Sequence, residues 1–112
     1  MNMATGYDPE MLPNDPALER VGITTERLPD GQWSATMSVT EADLNRHGVG
    51  HGGVVFLLAD AVFERVTNAD LDADRVAFAA SASIDFVRPA LPGDTLGQRV
   101  AGERWAHKVD AR

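Results

Sequence analysis

Residues 45–60 read NRHGVGHGGVVFLLAD, and the reading of this stretch decides the fold. Nine of the ten residues 54–63 are apolar, and the exception is Asp60. An apolar run of that length suits either a strand or a helix. Leu57-Leu58-Ala59 and the polar continuation through Glu64 and Arg65 to Asn68 favour a helix of about four turns. A helix apolar all round is expected to be buried all round. Gly48, Gly50, Gly52 and Gly53 precede it and allow unusual dihedrals and close approach. The first turn of a helix carries unpaired N–H groups and the positive end of the macrodipole, a seat for an oxyanion or anionic ligand. Asn45 and His51 supply polar side chains at that entrance. Asp60 is a carboxylate among apolar neighbours, which is costly unless it is paired, near water or in use.

The flanks of this helix read as sheet. Residues 21–28 and 32–40 are predicted strands around the turn Pro29-Asp30-Gly31. In the second, Trp33, Ala35, Met37 and Val39 alternate with polar residues, as in a half-buried strand. Residues 76–87 read as a long strand with Val76, Phe78, Ile84 and Phe86 on one face and small residues with Asp85 on the other. Residues 88–94 form a turn and residues 95–105 a last strand. Asp15 before Pro16 marks the start of a short helix near 15–20. Residues 1–14 are expected to be a flexible N-terminal segment and residues 106–112 a polar tail. The order of elements predicts a single α+β domain over 1–112, an antiparallel sheet wrapping one helix.

Composition narrows the function. The 112 residues hold 17 acids against 10 Lys plus Arg, a net charge of −7. Such a surface repels phosphate backbones, so no nucleic-acid partner is expected. Cysteine is absent, which excludes disulfide scaffolds and thiol nucleophiles. No apolar run reaches the roughly 20 residues of a membrane span, and residues 1–7 lack the features of a secretory signal. No membrane partner and a cytoplasmic location are therefore the default expectations.

Each candidate has an ordinary reading. The glycines alone make a loop, His51 alone a helix cap, and Asp60 alone a hydrogen-bonded core residue. His47 and His51 are four apart, but Gly48 and Gly50 break the helix that a metal pair would need, so no metal is expected. Ser81, His51 and Asp60 could form a nucleophilic triad, yet no GxSxG elbow is present.

Taken together, Asn45, Gly48, His51, Gly52, Gly53 and Asp60 form the pattern Asn-x-x-Gly-x-x-His-Gly-Gly, six residues, Asp. This resembles the hotdog-fold acyl-CoA thioesterases, in particular the phenylacetic acid degradation (PaaI-type) family. Leu57-Leu58-Ala59-Asp60-Ala61, Asn68, Ile84-Asp85-Phe86-Val87-Arg88-Pro89 and Gly93-Asp94-Thr95-Leu96 support it, so the likeness covers roughly residues 15–105. The resemblance implies hydrolysis of (hydroxy)phenylacetyl-CoA or similar small acyl-CoA thioesters, with no cofactor beyond the coenzyme A of the substrate. It implies that the Gly52 N–H holds the thioester oxygen. Asp60 would be general base or nucleophile, Asn45 would place the water or the carbonyl, and His51 would polarise the site. Gly53, Ser81 and Arg88 would border the substrate, with Arg88 facing a CoA phosphate or pairing with Asp85.

Asp60 lies eight residues after Gly52, about 12 Å along the helix axis. A base must come within about 3 Å of the reacting atoms, or one water away. One chain therefore cannot bring both groups to one carbonyl, whereas a second copy with its helix antiparallel can. The expected assembly is a homodimer with composite sites, extended in the family to a homotetramer. Family members usually continue with two further strands, so the expected architecture is a hotdog fold with the last two family strands missing. Two rival functions follow: a truncated, non-catalytic hotdog protein that binds acyl-CoA or only oligomerises, and an acyl-thioester hydratase or dehydratase using His51 with Asp60.

Overall fold

The computed structural model describes residues 14–69, 81–101 and 106–111. The first element, α1 (Pro16–Val21), starts where Asp15 accepts a hydrogen bond from the Leu18 N–H at 3.2 Å, with Pro16 in the first helical turn. The cap supplies one of the orphan N–H groups with a partner, and proline needs none there. Leu18 is the buried residue of this helix.

The hairpin follows as expected. Strands β1 (Thr24–Arg27) and β2 (Trp33–Ser38) pair antiparallel, with Arg27 opposite Trp33 and Thr25 opposite Ala35. The turn closes through the Gly31 N–H on the Leu28 carbonyl and the Gln32 N–H on the Asp30 carboxylate, both at 2.9 Å. The alternation along β2 buries Ala35, Met37 and, just beyond it, Val39.

The helix α2 (Gly52–Asn68) packs across this sheet, while β3 (Thr95–Ala101) and β4 (Ala106–Ala111) complete it. All three pairings are antiparallel in the order β1-β2-β3-β4, with Met37 opposite Leu96 and Gly97 opposite Asp110. Leu58, Ala61 and Val62 of α2 meet Ala35, Met37, Val39 and Leu96 of the sheet, and Leu18, Ile23 and Ala90 close the cluster. At the far end Glu64 and Arg65 emerge into solvent, and Arg65 lies 5.5 Å from the centre of the Trp33 ring. No helix among the described residues is long and apolar enough to cross a membrane.

Three expectations change. Residues 106–112 read as a polar tail, but Ala106–Ala111 is a strand paired along β3. Backbone pairing needs no apolar pattern, so a polar stretch beside an existing strand can join the sheet. The side of β3 away from β2 is thus covered by this chain's own residues. The strand predicted over 76–87 lies outside the described residues as far as residue 80, and its remainder, 81–87, forms no strand. The N-terminal segment up to residue 13 and the strand end at 102–105 also lie outside the described residues.

The third change concerns α2. Within one chain it is buried on one face only: Leu58, Ala59, Ala61 and Val62 are buried, while Val54, Val55, Phe56, Leu57 and Phe63 are half-buried. At 100° per residue, Gly52, Phe56, Asp60, Phe63 and Thr67 share the side turned away from the sheet. Leu58 is fully buried at the centre of the opposite side. Replacing it, Leu58→Ala, is expected to lower the unfolding free energy by about 2–5 kcal/mol in equilibrium urea denaturation.

Candidate active site

The entrance to α2 is built by side-chain bonds to the loop's own backbone. Asp43, buried at the end of the 3-10 turn Glu41–Asp43, accepts from the Thr40 N–H at 2.8 Å and from the Thr40 hydroxyl at 3.1 Å. The Asn45 side-chain oxygen accepts from the N–H groups of His47 at 2.9 Å and Val49 at 3.4 Å. Its oxygen is therefore engaged in shaping the loop. Only its NH₂ group, which has no partner among the described residues, is left to address a ligand. That limits Asn45 to donating a hydrogen bond.

The loop closes when the His51 N–H donates to the Asp43 carbonyl at 2.8 Å. One residue earlier, the Gly50 N–H donates to the Ala90 carbonyl at 2.7 Å. A Cβ at residue 50 would stand 2.9 Å from the Ala90 Cβ, closer than carbon atoms tolerate, so only glycine fits. The turn carrying Ala90 is itself tied to the sheet by the Val39 N–H on the Asp94 carbonyl and the Gly93 N–H on the Val39 carbonyl.

His51 caps the helix. Its backbone is extended, and its Nδ1 accepts from the Gly53 N–H at 3.2 Å. A neutral imidazole that accepts at Nδ1 carries its proton at Nε2, so His51 offers a donor there and not a base. The cap uses the Gly53 N–H, and the carbonyl of His51 takes the N–H groups of Val54 and Val55. Among the described residues the Gly52 N–H has no acceptor. It is an unsatisfied donor at the positive end of a 17-residue helix.

Asp60 is half-buried two turns further on. Its carboxylate accepts no hydrogen bond and joins no ion pair among the described residues. Of the remaining candidates, Gly53 is exposed and its N–H is held by the cap. Ser81 and Arg88 are exposed, and neither bonds to Gly52, His51 or Asp60. Arg88 forms no ion pair with Asp85 either. Two contributors were not singled out in the sequence. Asp43 was readable, because Thr40-Glu41-Ala42-Asp43 has the spacing of a reciprocal cap. Phe86 was not: its ring tip reaches over Gly52, with Cζ 3.2 Å from where a Cβ would stand.

Against this geometry the comparisons are specific. The model of the thioesterase superfamily matches residues 47–97, which run from the loop through α2 into β3. Acyl-coenzyme A thioesterase PaaI of Escherichia coli K12 is 38% identical over 86 residues, covering 77% of this chain and 59% of that protein. The solved structure of the E. coli PaaI protein superposes with a TM-score of 0.69 at 31% identity, over 88% of this chain and 75% of the other. The chain belongs to the hotdog-fold thioesterase superfamily. A mutant of the phenylacetic acid degradation protein PaaI from Thermus thermophilus gives a TM-score of 0.72 at 28% identity, covering 88% of both chains. A hypothetical thioesterase protein of Streptococcus pneumoniae, solved with coenzyme A, gives 0.60 at 26% identity, over 80% of this chain and 74% of that one. The chain spans 54–59% of the length of the curated relatives it matches. The hotdog expectation for the fold, an antiparallel sheet around a central helix, is thereby met.

The cap at the start of α2 can be tested without substrate. His51→Ala is expected to cost about 0.5–2 kcal/mol in urea denaturation, and His51→Asn, whose side-chain oxygen can accept from the same N–H, to restore most of it.

Proposed function

We propose that this hotdog chain hydrolyses acyl-CoA thioesters, with (hydroxy)phenylacetyl-CoA or a similar small acyl group as substrate. The observation that carries the reading is the pair of unsatisfied groups on α2. The Gly52 N–H lacks an acceptor and the Asp60 carboxylate lacks a donor among the described residues. They stand about 12 Å apart along one axis. Two such helices, antiparallel and facing, bring each N–H opposite the other chain's carboxylate. PaaI, the relative at 38% identity, is an acyl-coenzyme A thioesterase, which supports the same chemistry.

In this reading the thioester oxygen accepts from the Gly52 N–H, which strengthens its hold as the carbonyl becomes an oxyanion. Water attacks the carbonyl carbon, and Asp60 of a second copy takes its proton. Alternatively that carboxylate attacks first and water opens the resulting anhydride. The C–S bond breaks, and the products are a carboxylic acid and the free thiol of coenzyme A. The Asn45 NH₂ and the His51 Nε2–H donate toward the water or the carbonyl. Residues 53, 81 and 88 would border the acyl-CoA. No cofactor enters any step. Assembly as a homodimer, or a homotetramer of two pairs, and a cytoplasmic location belong to the same proposal.

The tautomer of His51 favours hydrolysis over hydration or dehydration. Those reactions would ask a histidine to accept a proton, and here its accepting nitrogen is already used by Gly53. The test uses two crippled chains. Gly52→Pro removes the N–H at the first helical position, where proline suits the backbone and its Cβ asks the exposed Phe86 ring tip to shift slightly, and Asp60→Asn removes the base. Each alone is expected to release thiol from phenylacetyl-CoA about 10²–10³-fold more slowly. Unfolded and refolded together in equal amounts, they should regain about a quarter of the wild-type rate. Half the pairs are then mixed, and each mixed pair holds one intact composite site. No recovery on mixing would show that both groups do not serve one site across a pair. No thiol release by the unmodified chain from aryl or aliphatic acyl-CoAs would leave only a binding role.

A further inference from the structure

The side chain missing from Gly52 leaves a space that another residue uses. The tip of the Phe86 ring fills it, with Cζ at 3.2 Å, Cε1 at 3.4 Å and Cε2 at 3.8 Å from the position of an absent Cβ. A ring that approaches a backbone this closely would ordinarily be a core residue. Phe86 is instead 58% exposed. Its tip is therefore seated on Gly52 while more than half of the residue stays exposed. The residues beside it do not shield it, since Asp85 and Val87 are themselves exposed.

The same residue that seats the ring also carries the unsatisfied N–H. A carbonyl oxygen accepting from that N–H lies about 2.9 Å from the nitrogen. Ring and acyl carbon would thus share one residue as their support, and a group attached to the carbonyl carbon would come within reach of the exposed part of the ring. A flat aryl group can stack on such a surface or meet it edge to face, and a straight alkyl chain gains burial only. We propose that Phe86 is a specificity-determining residue that selects aryl over straight-chain acyl groups at the Gly52 site. This rests on the placement of the thioester oxygen at the Gly52 N–H and adds to it which side chain reads the acyl group.

The test separates the two ideas by measuring binding as well as turnover. Non-hydrolysable ketone analogues of phenylacetyl-CoA and hexanoyl-CoA, with CH₂ in place of the thioester sulfur so that the carbonyl oxygen is kept, are titrated calorimetrically into the full chain and into Phe86→Leu and Phe86→Tyr. The parent chain is expected to prefer the aryl analogue. Phe86→Leu should reduce that preference about 2- to 12-fold, the equivalent of the extra contact of a ring pair, and Phe86→Tyr should keep it. If Phe86→Leu does not fold, Phe86→Met serves the same comparison. Equal weakening of both analogues in the leucine or methionine variant would make Phe86 merely structural and overturn the inference. Failure of the parent to bind either analogue would overturn it too. A shift of preference in a chain that binds both analogues but releases no thiol would uphold Phe86 and defeat the hydrolase reading.

Discussion

The structure depends on one close passage of backbone, where Gly50 runs beneath Ala90. The 2.7 Å hydrogen bond between them leaves no room for a Cβ on residue 50. The Ala90 turn is bonded in its own right to the end of β2 through Val39, Gly93 and Asp94. The passage therefore sets the loop that feeds α2 at a fixed height over the sheet. With the chain held there, His51 can be extended, its N–H can meet the Asp43 carbonyl, and the helix must begin at the next residue. The position of the Gly52 N–H, without an acceptor among the described residues, follows from a steric limit two residues away. The glycines of this loop thus divide the labour: Gly50 permits the passage, and Gly52 admits the Phe86 ring.

What was legible in the residues was whatever repeats with a period or follows turn chemistry. Trp33, Ala35, Met37 and Val39 announce β2 because side chains alternate across a pleat, and Asp15-Pro16 announces α1 because a cap and a fixed φ suit a helix start. Leu57-Leu58-Ala59 with its polar continuation announces α2. What was not legible depends on neighbours. Ala106–Ala111 carries no apolar alternation, and it becomes a strand because β3 offers a row of backbone groups to pair with. Residues 81–87 have the alternation of a strand but stand outside the sheet, because a pattern specifies a face and not a hydrogen-bonding partner. The apolar girth of α2 suggests burial all round, but a single sheet covers only one side of a helix.

The candidate site was legible in part for the same reason. Helix-start chemistry is local, so Asn45, His51 and Gly52 could be placed at the entrance from their spacing alone. The tasks of their atoms could not. Only the folded arrangement shows that the Asn45 oxygen is used by the loop, that Nδ1 of His51 is used by Gly53, and that the Gly52 N–H is left over. Phe86, far along the chain from Gly52, is brought to it by the path of the backbone; its local pattern marks an apolar face and not a neighbour of Gly52.

The half-buried face of α2 ties these observations to assembly. Phe56 and Phe63 flank Asp60 on the side turned from the sheet, so the carboxylate stands between two rings that gain from losing water. Covering that face with apolar groups alone would strand the charge, which costs more than the rings return. The proposed pairing with the same face of a second, antiparallel helix would answer both demands at once. In the proposed pair, ring would meet ring near the middle, and each carboxylate would be carried toward the other helix's N-terminus and its partial positive charge.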